Sequence, residues 1–148
     1  MFASNVVIVI PCAVPDVNFV PVIVMFVFDV PALTLAFAAS FVVDNRIFVG
    51  TGDDGAFTKD FYEYNAFTNS WIVRPDFPGS PRYSATGFAV NGKGYFMCGY
   101  DTTLANRNDF WEYDPLINSW TQLEDFPGGA RANATAFVVD TLAFIGMG

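Results

Sequence analysis

Apolar and polar positions alternate in short runs along most of this chain, and turn residues bound the runs. Ser84 to Val90 is a small, apolar run that ends at Asn91-Gly92, a dipeptide that supplies positive φ at both centres of a tight hairpin turn. Lys93 to Tyr100 returns as a second strand that runs through Gly99. From Asp109 to Asp114, Phe110, Glu112 and Asp114 fall on one face while Trp111 and Tyr113 fall on the other, the period of two that a strand requires. Pro115-Leu116-Ile117-Asn118 is a turn signal, Ser119 to Glu124 a fourth strand, and Phe126-Pro127-Gly128 closes the unit. No stretch sustains an apolar period of 3.6, so the pattern predicts strands and turns without helix.

The unit is repeated. Asp60-Phe61-Tyr62-Glu63-Tyr64-Asn65 returns as Asp109-Phe110-Trp111-Glu112-Tyr113-Asp114, and Asn69-Ser70-Trp71 as Asn118-Ser119-Trp120, both 49 positions on. At the same spacing Asp76-Phe77-Pro78-Gly79 becomes Asp125-Phe126-Pro127-Gly128, Arg82 becomes Arg131, and Phe88-Ala89-Val90 becomes Phe137-Val138-Val139. Phe41-Val42-Val43 and Phe48-Val49-Gly50-Thr51-Gly52 match Phe88-Ala89-Val90 and Tyr95-Phe96-Met97-Cys98-Gly99 at a spacing of 47, the difference being a longer loop between Asp101 and Asn108. Four antiparallel strands in a unit of nearly fifty residues is the arithmetic of a propeller blade.

Composition narrows the chemistry. The 148 residues are 53% apolar and 18% aromatic, which requires a packed core. Seven Lys and Arg against fifteen Asp and Glu give a formal charge of −8, which repels phosphate backbones and anionic lipid alike, so neither nucleic acid nor membrane is an expected partner. The absence of histidine removes the commonest general base and the commonest transition-metal ligand; no cofactor, metal or catalytic residue is expected. Cys12 and Cys98 sit in apolar surroundings without metal or disulfide spacing and read as small buried hydrophobes.

An apolar strand, a hinge glycine at Gly52 or Gly99, and a tyrosine seven residues before a tryptophan (Tyr64 and Trp71, Tyr113 and Trp120) together resemble the kelch repeat. The variant with Asp-Phe-Trp-Glu-Tyr-Asp-Pro and Asp-Phe-Pro-Gly is similar to kelch proteins of secreted bacterial polypeptides, and the resemblance covers residues 36 to 148. It implies an all-β chain of kelch-type propeller blades and an extracellular or cell-surface location. A WD40 reading fits less well, because the Gly-His and Trp-Asp dipeptides are missing.

Residues 1 to 35 depart from the pattern. Asp16-Val17-Asn18 and Asp29-Val30-Pro31-Ala32 still answer repeat positions, but Val24 stands where the tryptophan belongs and Leu35 where the arginine belongs. The segment lacks the basic start of a signal peptide, and Pro11, Pro15, Pro21 and Pro31 interrupt any membrane helix. It is expected to be a degenerate half-blade, strands three and four at about 14 to 28, with an exposed strand-forming edge as the alternative. Two blades then follow at 36–82 and 83–131, and a half-blade of strands one and two at 132–148. Three blade-equivalents are too few to close a ring, so the complementary ends are expected to pair with another copy or with missing parts of a longer propeller. Two copies would make a six-bladed ring; a rotation that fails to close would make a filament.

Tyr64, Trp71, Arg82, Gly99, Tyr113, Trp120 and Arg131 are therefore read as structural repeat positions. The tryptophans are expected to fill the wedge between sheets, and the arginines to bind backbone carbonyls or a neighbouring carboxylate, with Glu63 and Glu112 as partners. Asp53-Asp54-Gly55 and Asp101-Thr102-Thr103 offer oxygens in equivalent loops but lack the spacing of a calcium loop. Asn133-Ala134-Thr135 fits a glycosylation sequon yet lies in an expected inner strand. The function expected is a non-catalytic protein-binding or self-assembly module that takes another copy of itself, with a protein or glycan ligand on the loop face. The alternatives are a subunit of an extracellular filament or surface layer, and a fragment of a kelch-type carbohydrate-active enzyme. Kelch propellers include copper radical oxidases and sugar-acid isomerases, but an imidazole-built copper site needs histidine.

Overall fold

The computed structural model describes residues 7–10, 23–26 and 35–148, which fall in two units, 1–34 and 35–148. In the first, β1 (Val7–Ile10) pairs antiparallel with β2 (Ile23–Phe26), Val7 opposite Phe26 and Ile10 opposite Ile23. β2 falls within the stretch read as strands three and four, but its partner lies upstream of that stretch. The segment around residue 16 that was read as strand three, and the Asp29-Val30-Pro31-Ala32 match, lie outside the described residues.

The second unit is all strand and turn, with no helix among the described residues. β3 (Ala39–Val43), β4 (Arg46–Gly50), β5 (Phe61–Asn65) and β6 (Ser70–Arg74) form one four-stranded antiparallel sheet in chain order. After a two-residue strand β7 (Arg82–Tyr83), the strands β8 (Thr86–Val90) and β9 (Lys93–Met97) open a second sheet. It continues past β10 (Tyr100–Asp101) into β11 (Phe110–Asp114) and β12 (Ser119–Leu123), and its order is again sequential. β7 and β10 pair with each other. β13 (Thr135–Val139) and β14 (Leu142–Gly146) make a two-stranded sheet. Among the described residues the sheets close into neither a barrel nor a ring.

The hairpins follow from their turn residues. Asn91 and Gly92 both take positive φ, 53° and 73°, and at the equivalent turn Asp44 and Asn45 do the same at 49° and 62°. This handedness matches the twist of the flanking strands and sets the register with Val90 opposite Lys93.

The sheets are laid side by side in chain order, β3 beside β8 and β8 beside β13. Between the two large sheets lies an aromatic core of Phe41, Phe48, Phe61, Phe77, Phe96 and Tyr113. Phe41 reaches the second sheet at Gly94, where any Cβ would collide with its ring, so this glycine is required for close approach. The Trp120 ring sits with its centroid 4.9 Å from both Phe61 and Tyr113, and its Nε1–H donates to Pro75 O at 3.1 Å. One side chain thereby ties the second sheet to the first and to the loop leaving it.

Candidate functional site

Each repeat position settles into a defined role. Tyr64 and Tyr113 are buried, and their hydroxyls donate to Asn69 Oδ1 (2.8 Å) and Asn118 Oδ1 (2.6 Å), closing the turn that precedes each tryptophan. Trp71 packs against Tyr64 with ring centroids 5.1 Å apart, while its buried Nε1 meets no acceptor among the described residues. Gly99 has φ 100° and Gly52 φ 106°, and their N–H groups donate to Arg131 O (2.8 Å) and Arg82 O (2.7 Å), so the glycines stitch one sheet to the start of the next.

Arg82 is 1% exposed and uses its whole guanidinium inside the protein. Nη1 donates to Cys98 O (2.8 Å) and Asp109 Oδ1 (2.5 Å), Nη2 to Asp109 Oδ2 (2.9 Å) and Ser80 Oγ (3.0 Å), and Nε to Ser80 O (3.0 Å). The guanidinium also lies 4.8 Å from the Phe77 ring centroid, a cation–π contact. Arg131 repeats the pose over Phe126 but donates only to the carbonyls of Gly128, Gly129 and Met147, with no ion pair among the described residues.

The expected carboxylate partners need correction. Glu63 is held by Arg46 (2.7 Å) and Arg74 (2.6 Å), and Glu112 by Lys93 (2.5 Å) and the Tyr95 hydroxyl (2.9 Å). Both glutamates sit in mid-strand, opposite Ile72 and Thr121, whereas Arg82 enters at the end of the sheet, where Asp109 immediately precedes the third strand. The usable signal was the first residue of the repeated motif, Asp60 and Asp109, rather than the fourth. Hydrogen bonding to Arg46, ahead of that to Arg74, holds the Glu63 carboxyl below the usual range despite its burial. Burial and the Glu112 carboxylate push Tyr95 up to about 12.

The two acidic loops are spent on local structure. Asp53 Oδ1 accepts from Gly55 N–H (2.9 Å) and Asp54 Oδ1 from Ala56 N–H (3.3 Å), both capping the turn. Asp101 is fully buried and accepts from Thr103 (2.7 Å), Ser80 (2.7 Å) and Arg107 (2.5 Å). Burial acts to raise its pKa, and these hydrogen bonds outweigh it and hold the carboxyl far below the usual range. Cys98 is buried, which pushes its thiol up; Cys12 lies outside the described residues.

The surface that stands out is the outer face of β13 and β14. Phe137 and Phe144 stack there with centroids 5.1 Å apart and planes 10° from parallel. The same cross-strand aromatic pair occurs twice before, as Phe88–Tyr95, stacked at 5.0 Å, and as Phe41–Phe48, tilted by 30° at 5.2 Å. Phe41 is buried under Phe96 and Tyr113 of the next sheet, and Phe88 under Ala136, Val138, Ala143 and Ile145 of the β13–β14 sheet. The third stack has no cover among the described residues: Phe137 is 59% exposed, Phe144 45% and Leu142 63%. β4 and β9 each pair on both edges, while among the described residues β14 pairs with β13 alone. No charge or proline interrupts Leu142-Ala143-Phe144-Ile145-Gly146, so the edge has none of the usual guards against strand addition.

No protein-family model matches the chain, and no curated protein matches it. Among solved structures it is similar to one described as the structure of YjhT, at 22% identity with a TM-score of 0.68. The match covers 80% of this chain and 36% of that one, so the chain spans about a third of that protein's length. At this identity the likeness speaks to fold alone.

Proposed function

We propose that the chain is a non-catalytic binding and self-assembly module built from kelch-type β-propeller blades. Each four-stranded meander is one blade, and β13 with β14 are the first two strands of a further blade. A second copy, or further blades of a longer propeller, completes it by strand addition and by covering the Phe137–Phe144 face. The observation that carries this reading is the aromatic pair repeated across the first hairpin of each unit, covered twice by a following sheet and, among the described residues, left bare the third time. Burying such a face releases roughly 25 cal/mol for each Å² of apolar surface, which favours association over exposure.

A non-catalytic reading agrees with the side chains. The chain contains no histidine, and the buried Asp101, Glu63 and Arg82 are each engaged by partners within the protein. An extracellular or cell-surface setting follows from the kelch resemblance.

Amide hydrogen exchange across a concentration series tests the proposal. The outward-facing amides of β14 are expected to gain protection as concentration rises, while those of β9, already paired on both sides, stay constant. Fast exchange in β14 at every concentration would contradict pairing between copies.

A further inference from the structure

The loop that leaves each four-stranded sheet is built twice to one plan. Phe77 N–H donates to Lys59 O at 2.9 Å and Phe126 N–H to Asn108 O at 2.7 Å. Lys59 and Asn108 therefore occupy equivalent positions, as do Asp76 and Asp125, each one residue ahead of its phenylalanine. In the first copy Lys59 Nζ lies 3.8 Å from Asp76 Oδ2, so the protein's own ammonium group faces the loop carboxylate.

The second copy keeps the carboxylate and loses the ammonium. Asn108 replaces the lysine, and Gln122 stands where the first copy has Val73. A polar cleft of about 360 Å³ opens here, lined among others by Arg82, Arg107, Asn108, Asp109, Gln122 and Asp125. The wall is electrically closed, because Arg82 and Asp109 pair with each other, and Arg107 beside them is held by Asp101 at 2.5 Å. Asp125 forms no ion pair among the described residues. Its carboxylate and the carboxamide oxygens of Asn108 and Gln122 make three acceptors in a cleft whose two cations, Arg82 and Arg107, are each paired with another carboxylate.

We propose that this cleft binds a primary alkylammonium group in the place that Lys59 fills in the first copy. An ammonium offers three N–H donors, which the Asp125 carboxylate and the two carboxamide oxygens can satisfy together. The formal charge of −8 draws cations toward the surface before contact is made. The same chemistry is carried by a lysine side chain of a partner protein and by a free aliphatic diamine. Affinity for the isolated group is expected on the order of millimolar, since one exposed ion pair contributes little by itself. The inference is independent of the assembly proposed for β13 and β14.

The test is a two-dimensional 15N NMR titration of the 148-residue chain at physiological salt, which screens diffuse attraction. The probes are putrescine, Nα-acetyl-lysine amide and, as the uncharged control, Nα,Nε-diacetyl-lysine amide. Saturable shifts of the Asn108 and Gln122 side-chain amides are expected with the first two probes and none with the control. Asp125→Asn is expected to weaken binding about threefold to fivefold, and Asn108→Lys, which restores the internal ammonium of the first copy, to abolish it. Unchanged melting of both variants would show that the fold is intact. Tighter binding of putrescine would point to a free diamine as the natural ligand, and tighter binding of the lysine amide to a protein side chain; both support the site. Shifts that spread over the acidic surface, fail to saturate or survive Asp125→Asn would overturn it.

Discussion

Arg82 and Arg131 occupy one repeat position and do different amounts of work. Arg82 is buried against Asp109, and removing one partner of such a pair leaves an uncompensated charge, so Arg82→Ala is expected to cost about 3–5 kcal/mol. Arg131 donates only to carbonyls near the surface, and Arg131→Ala should cost about 1 kcal/mol. Urea unfolding of the two variants measures the difference, and equal losses would contradict it. Asp101 links stability to pH. Its folded pKa lies below its unfolded value, so its contribution is complete above the ordinary carboxylate range and is lost as pH falls through that range and below. Asp101→Asn is expected to be less stable at neutral pH and to lose less stability on acidification, as read by urea unfolding at successive pH values; parallel profiles would contradict this. The arginine positions were legible from the repeat, which offered carbonyls or a neighbouring carboxylate as partners; Arg82 takes both, and Arg131 takes only carbonyls among the described residues. The choice of glutamate was not, because the sequence shows which residues recur but not which end of a strand faces the incoming loop.

Among the elements, the hairpin strands were legible to within about three residues, the expected strand Lys93 to Tyr100 ending at Met97. Alternation, the Asn91-Gly92 turn and the repeated aromatics all bear on the same boundaries, and β8, β9, β11 and β12 lie inside the spans they predict. The two-residue strands β7 and β10 were not anticipated, since a pair of residues carries no periodicity and their pairing depends on how Arg82 and Asp101 meet in space. Trp120 connects elements more than it fills one. With Phe61, Phe77 and Tyr113 around its ring and Pro75 accepting its N–H, Trp120→Ala should destabilise by about 3–5 kcal/mol. A variant that unfolds at the parent's denaturant concentration would remove Trp120 from the bridging role.

At the scale of the whole molecule, the repeat turns a local pattern into an expectation about surfaces. Phe41–Phe48 and Phe88–Tyr95 are each roofed by the next sheet, and the Phe137–Phe144 pair repeats their position with no roof among the described residues. Sequence alone pointed to that end, because Thr135 to Gly146 matches two strands of a four-strand unit. The drifted segment before residue 36 was far less legible, since Val24 and Leu35 replace the tryptophan and arginine that carry register elsewhere. The most direct test of assembly through β13 and β14 is light scattering of the parent chain and of Phe144→Asp across a concentration series. The account predicts that the parent gains mass with concentration, toward a discrete ring or a growing polymer, while Phe144→Asp stays a folded monomer. A parent that remains a compact monomer at every concentration, or a variant that assembles as the parent does, would contradict it.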